Sequence, residues 1–138
     1  MSDVYYVIAS NPHTPGKVLA RLAAAPDHTI RRQVAGNPHT PDSVLDELST
    51  DTSWDVRLSV ALNPVVSYDL LERLAKDEQA SVRFGVAENI DTPDTILIAL
   101  SEDENAYVAC KASESLQSKP ARRRCHQEFR QPSRHAHA

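Results

Sequence analysis

Asparagine recurs at Asn11, Asn37, Asn63 and Asn89, each 26 residues after the last, and Ser115 takes the next place in that register. A fixed period of this size restricts the chain to a repeat architecture, because one copy is a supersecondary unit whose apolar face only its neighbours can cover. Residues 37–62, NPHTPDSVLDELSTDTSWDVRLSVAL, are the fullest copy, and most of the remaining chain repeats them.

Aligning the copies shows what each column does. Leu19, Leu45, Leu71 and Leu97 share one column, Leu22, Leu48, Leu74 and Leu100 another, and Val18, Val44, Leu70 and Ile96 stand just before the first. Apolar residues at i, i+1 and i+4 form one helical stripe, so this half of each repeat reads as a helix facing its neighbours. At Thr14-Pro15, Thr40-Pro41 and Thr92-Pro93 the threonine is expected to cap that helix and the proline to take its first position, where a missing N–H costs nothing. Ser67 is expected to cap in the third copy, and Asp42 and Asp94 suit the positive end of the helix dipole. A second, shorter helix is expected around Ile30-Arg31 to Val34-Ala35, Val56-Arg57 to Val60-Ala61 and Val82-Arg83 to Val86-Ala87. Asn-Pro, or Asn89-Ile90 in the fourth copy, follows and ends it. Residues 4–9 read as this half-repeat without its partner, and residues 108–113 as a degraded last one.

Apolar residues make up 41% of the chain and aromatics only 5%, so the core is mainly Leu, Val and Ala, which suits layers that must look alike. No run approaches the roughly 18 apolar residues of a membrane span, and the opening Met1-Ser-Asp lacks the regions of a signal peptide, so a cytoplasmic protein is expected. Cys110 and Cys125 are unpaired in spacing; Cys110 reads as small and buried, Cys125 as exposed. Residues 1–114 hold 9 Lys/Arg against 18 Asp/Glu, whereas residues 115–138 hold 6 against 1. The expected division is a repeat body over residues 1–117 and a basic, flexible tail over residues 118–138.

The pattern VRxxVAxNPxTPxxxLxxLxxD resembles the leucine-rich repeat variant, a HEAT-like repeat, over roughly residues 4–116. The resemblance implies an α-helix and a short 3-10 helix per repeat, stacked into a right-handed α-solenoid of about four repeats. A repeat of 26 residues is slightly longer than that family's usual one. Some members hold iron and sulfur on an N-terminal cysteine cluster; no cysteine precedes Cys110, so neither that cofactor nor another carries over.

Two charged ladders stand out. Arg31, Arg57 and Arg83 alternate with Asp51, Asp77 and Asp103, and pairing Arg31–Asp51, Arg57–Asp77 and Arg83–Asp103 across successive repeats leaves no member alone. HEAT-like repeats carry a structural Asp/Arg ladder, and planar guanidinium suits that use. Asn11, Asn37, Asn63 and Asn89 read as a second structural ladder, the amide bonding turn backbone from layer to layer. His13 and His39 lie about one repeat apart, roughly 10 Å, too far to share a metal.

The positions between the valines of the second helix vary most: Arg32-Gln33, Leu58-Ser59, Phe84-Gly85 and Cys110-Lys111. Variation inside a fixed frame is where a repeat protein can write specificity, which makes Arg32, Gln33, Leu58, Ser59, Phe84 and Lys111 the candidate partner-binding residues. The plainer reading of Leu58, Phe84 and Cys110 is filling between helices. Trp54, placed in an inter-helix loop, is a binding anchor or packs on the stack.

No catalytic or metal-binding constellation appears, and the 3 glycines, Gly16, Gly36 and Gly85, are too scattered for a phosphate loop. HEAT-like folds include alkylpurine-DNA glycosylases, but an acidic body poorly meets their need for a basic groove. The expectation is a non-enzymatic protein–protein interaction scaffold with an acidic body and a basic partner. The alternative is a nucleic-acid-associated protein using Arg122, Arg123, Arg124, Arg130 and Arg134. The ends lack obvious polar caps, so end-to-end self-association is a further expectation.

Overall fold

The computed structural model describes residues 2–118, and these contain nine helices and no strand. After α1 (Ser2–Ser10), two kinds of helix alternate. Helices α2 (Gly16–Leu22), α4 (Asp42–Leu48), α6 (Tyr68–Leu74) and α8 (Asp94–Leu100) have seven residues each. Helices α3 (His28–Gly36), α5 (Trp54–Leu62) and α7 (Ala80–Glu88) have nine, and α9 (Ala106–Ser118) has thirteen.

These lengths correct one expectation: the second helix of each repeat is the longer, and it is α-helical, with no 3-10 helix among the described residues. Its first residues, His28-Thr29, Trp54-Asp55 and Ala80-Ser81, are helical before the apolar column begins, so periodicity alone starts the helix late. The last copy is likewise fuller than expected, because α9 runs over Ala106–Ser118 and not over residues 108–113 alone. Leu116 packs on the core there.

The threonines are also corrected. Pro15, Pro41 and Pro93 are themselves the extended N-caps, with ψ of 146°, 150° and 151°. The Oγ1 atoms of Thr14, Thr40 and Thr92 turn backwards and donate to the Ile8, Val34 and Val86 carbonyls at 2.5–2.6 Å. Each thereby adds a second, stronger donor to a carbonyl in the last turn of the preceding long helix, which otherwise accepts only the N–H of Asn11, Asn37 or Asn89 at 3.1–3.3 Å. Among the four seven-residue helices, Ser67 of α6 is the one expected cap that accepts forward, from the Leu70 N–H at 3.2 Å.

The long helices pack side by side, α1 on α3, α3 on α5, α5 on α7 and α7 on α9, while α2, α4, α6 and α8 make their principal contacts with them. Leu19, Leu45, Leu71 and Leu97 are fully buried between the layers with Val34, Val60 and Val86. Each buried leucine contributes about 1.5–3 kcal/mol relative to an exposed one. This all-helical packing is consistent with an α-helical repeat.

On α1 the core column is exposed. Val4 occupies the column of Ile30, Val56 and Val82, yet it is 59% exposed where those are buried, and Tyr5, Tyr6 and Val7 are exposed beside it.

Candidate functional site

Two ladders hold the long helices in register and so fix the surface they present. Arg31, Arg57 and Arg83 each donate from Nε to Oδ2 of Asp51, Asp77 and Asp103 at 2.8–2.9 Å and from Nη2 to Oδ1 at 3.2 Å. Nη1 donates to the carbonyl six residues earlier, on Ala25, Asp51 or Asp77, at 2.7–2.8 Å. Each aspartate also accepts a backbone N–H two residues on, from Ser53, Gln79 or Asn105. The bidentate hydrogen bond to its aspartate is the main reason each arginine's pKa is raised. Burial pushes the Asp51 and Asp103 carboxyls up, but their arginine and backbone hydrogen bonds outweigh it and leave both lowered.

The second ladder runs through the turns. Asn37 Nδ2 donates to the carbonyls of Ala9 and Asn11, and Asn63 Nδ2 to those of Ala35 and Asn37. Asn89 Nδ2 donates to Ala61, and Ser115 Oγ repeats that contact by donating to the Ala87 carbonyl at 2.6 Å. Each Oδ1, that of Asn11 included, accepts the N–H two residues later. With their polar atoms turned inward, both ladders are occupied in joining repeats.

The surface left over is the outer face of the long helices. Trp54, Leu58 and Leu62 lie at i, i+4 and i+8 on α5, and Phe84 on α7 and Tyr107 on α9 continue the strip. They line an open groove of about 460 Å³ together with Ala80, Ser81, Glu88, Asn105 and Val108. Trp54, at 45% exposed, is the first residue of α5 and not a loop residue. Tyr107 is 78% exposed. Leu58 and Phe84 are half-buried and packed on the core, so each both fills space between helices and forms groove floor. Gly85 shapes that floor: a Cβ there would run into Leu58 Cδ1, so its missing side chain lets Leu58 lean towards α7.

Of the other variable positions, Arg32 lies one repeat earlier beside Trp54, in a polar hollow with His28 and Asp55. His28 Nδ1 is 2.8 Å from Asp55 Oδ2, and Arg32 Nη1 is 3.9 Å from the same oxygen. Gln33, Ser59 and Lys111 are half-buried and do not line the groove; Lys111 Nζ lies 3.7 Å from Glu114 Oε2. Cys110, expected to be buried, is exposed on α9, because no helix follows α9 among the described residues to cover that column. His13 and His39 are exposed in their turns. Arg122, Arg123, Arg124, Arg130, Arg134 and Cys125 lie outside the described residues. Among those residues no group of three or more His, Cys, Asp or Glu is arranged to hold a metal, and no helix is long and apolar enough to cross a membrane.

Sequence reasoning missed Leu62, Glu88 and Tyr107. The signal was present for Leu62: α5 alone carries large apolar residues at three successive turns of its outer face, whereas α3 carries His28, Arg32 and Gly36 in those columns.

No protein-family model, curated protein or solved structure matches the chain. The resemblance to the leucine-rich repeat variant rests on the repeated motif alone.

Proposed function

We propose that this chain is a right-handed α-solenoid of the leucine-rich repeat variant kind, of about four repeats, and a non-enzymatic cytoplasmic scaffold that binds a basic protein. The apolar groove over α5, α7 and α9 carries this reading, since a frame so uniform elsewhere departs from its pattern where Trp54, Leu58, Phe84 and Tyr107 come together. Aromatic residues at the centre of a patch are typical binding anchors. The acidic body, with 18 Asp/Glu against 9 Lys/Arg in residues 1–114, favours a basic partner and speeds its approach.

The test is a pull-down from source-cell lysate, with and without nuclease, using the full chain, a chain ending at Ser118 and full-length Tyr107→Ala. A protein retained by the first two despite nuclease, and weakened by Tyr107→Ala, supports the scaffold reading. Capture lost with nuclease or with the tail replaces it by binding of nucleic acid through Arg122, Arg123, Arg124, Arg130 and Arg134. Self-association through Val4, Tyr5 and Val7 would appear as a concentration-dependent mass in sedimentation, abolished by Val7→Glu.

A further inference from the structure

Building on the scaffold reading, we infer that the groove takes a short extended segment of the partner, with large apolar side chains at its centre and Lys or Arg on either side. Three observations fix that chemistry. The floor is apolar and offers few polar groups: Trp54, Leu58, Leu62, Phe84 and Tyr107 dominate it, with Asn105 and Ser81 at one edge. A volume of about 460 Å³ open along one side suits one or two inserted side chains better than an enclosed small molecule.

The second observation is where the acids stand. Glu78 and Glu104 are one repeat apart, each two residues before the first residue of α7 or α9; Glu88 ends α7, Glu114 lies one repeat later on α9, four residues before its end, and all four are exposed. Two acidic rows therefore flank the apolar strip, roughly 15 Å apart, which is eight residue rises along the helix plus two residues of turn. Lys111 lies 3.7 Å from Glu114 and offsets part of one row; Glu88 lines the groove itself. The corresponding residues of the earlier repeats are Pro26 and Thr52 on one side and Gly36 and Leu62 on the other, so in these two columns the acids are confined to the α7 and α9 part of the groove. At the α3 end, Arg32 and His28 replace the apolar floor, and they meet Asp55. A cationic segment is thus attracted over α7 and α9 and gains nothing by extending over α3.

The third is length. The two rows stand roughly 15 Å apart, the reach of about four to five extended residues. A segment lying along the helices in this way meets one acidic row at each end, with its central apolar side chains turned down into the strip.

The test uses the full chain and three fluorescein-labelled nonapeptides read by anisotropy: KKKLFLKKK, the charge-only KKKAAAKKK and the reversed-charge EEELFLEEE. KKKLFLKKK should bind at least tenfold more tightly than either control, and its affinity should fall with added salt. Phe84→Ala should weaken it about tenfold, and Glu88→Lys, an exposed change that leaves the core intact, about threefold or more. Equal binding of KKKAAAKKK, or binding indifferent to both Tyr107→Ala and Glu88→Lys in a chain with an unchanged circular dichroism spectrum, overturns the inference. No peptide binding at all also overturns it, and a benzoylphenylalanine photo-crosslinker at position 107 then separates the two readings. A protein cross-linked from lysate leaves the scaffold intact and removes only the basic-peptide chemistry; no cross-link removes both.

Discussion

Asn63 offers the sharpest test of how the repeats are joined. Its side chain is fully buried, with Nδ2 at 2.7 Å from the Ala35 carbonyl and 3.0 Å from that of Asn37, and Oδ1 at 2.9 Å from the Val65 N–H. Asn63→Ala strips a partner from two carbonyls and one N–H at once. At about 1–3 kcal/mol per group left unsatisfied, and near the low end for carbonyls that keep a second lone pair, the cost is about 3–5 kcal/mol. Asn11→Ala is the control, because Asn11 is exposed and its Oδ1 holds only the His13 N–H, so it should cost less than about 1 kcal/mol. Urea unfolding followed by helical circular dichroism measures both. Asn63→Asp adds a direction: the carboxylate cannot donate to the two carbonyls, and burial beside them raises its pKa above the unfolded value. Stability is then retained below the unfolded carboxyl value of about 3.9 and lost as pH rises through the raised folded one, the reverse of the parent chain. If Asn63→Ala and Asn11→Ala cost the same, or Asn63→Asp is no worse at pH 7 than at pH 4, the ladder does not hold the repeats together.

Three further outcomes are expected. Leu71→Ala, at a fully buried position, should cost about 2–5 kcal/mol in urea unfolding, whereas Ile98→Ala, 57% exposed, should cost under about 0.5. Arg57→Ala leaves Asp77 with a side chain only 10% exposed and no guanidinium partner, which should cost about 3–5 kcal/mol; Arg73→Ala, from the exposed pair with Asp46, should cost under about 1, and equal losses would refute the distinction. Because the Asp51 and Asp103 carboxyls are held below their ordinary value, the stability they contribute is complete above about pH 4 and disappears as pH falls through their folded values. Asp51→Asn with Asp103→Asn should therefore flatten the acid side of a stability–pH profile, and an unchanged slope there would assign it to other carboxyls.

The 26-residue register carries a good deal of this protein's structure in the sequence alone. A column that repeats identically must meet the same neighbour in each layer, so the buried leucines and the partners of Arg31, Arg57 and Arg83 can be read by arithmetic, as can the place of Ser115 after Asn89. Periodicity shows only where apolar residues recur, however. It could not show that His28-Thr29 and Trp54-Asp55 are already helical, or that the threonine before each proline bonds back to the preceding helix and does not start the next. The groove was less legible still. Leu58 and Phe84 stand out as variable positions, but whether variable apolar residues fill the interior or face outward depends on how far neighbouring helices cover them. That was decided by the packing of α5, α7 and α9, by the absent side chain at Gly85 and by the exposure of Tyr107 and Cys110 on α9, the last helix among the described residues. Sequence determines the repeating contacts because they are local in register; tertiary structure alone decides the exposed face, because exposure depends on what the whole assembly of helices leaves uncovered.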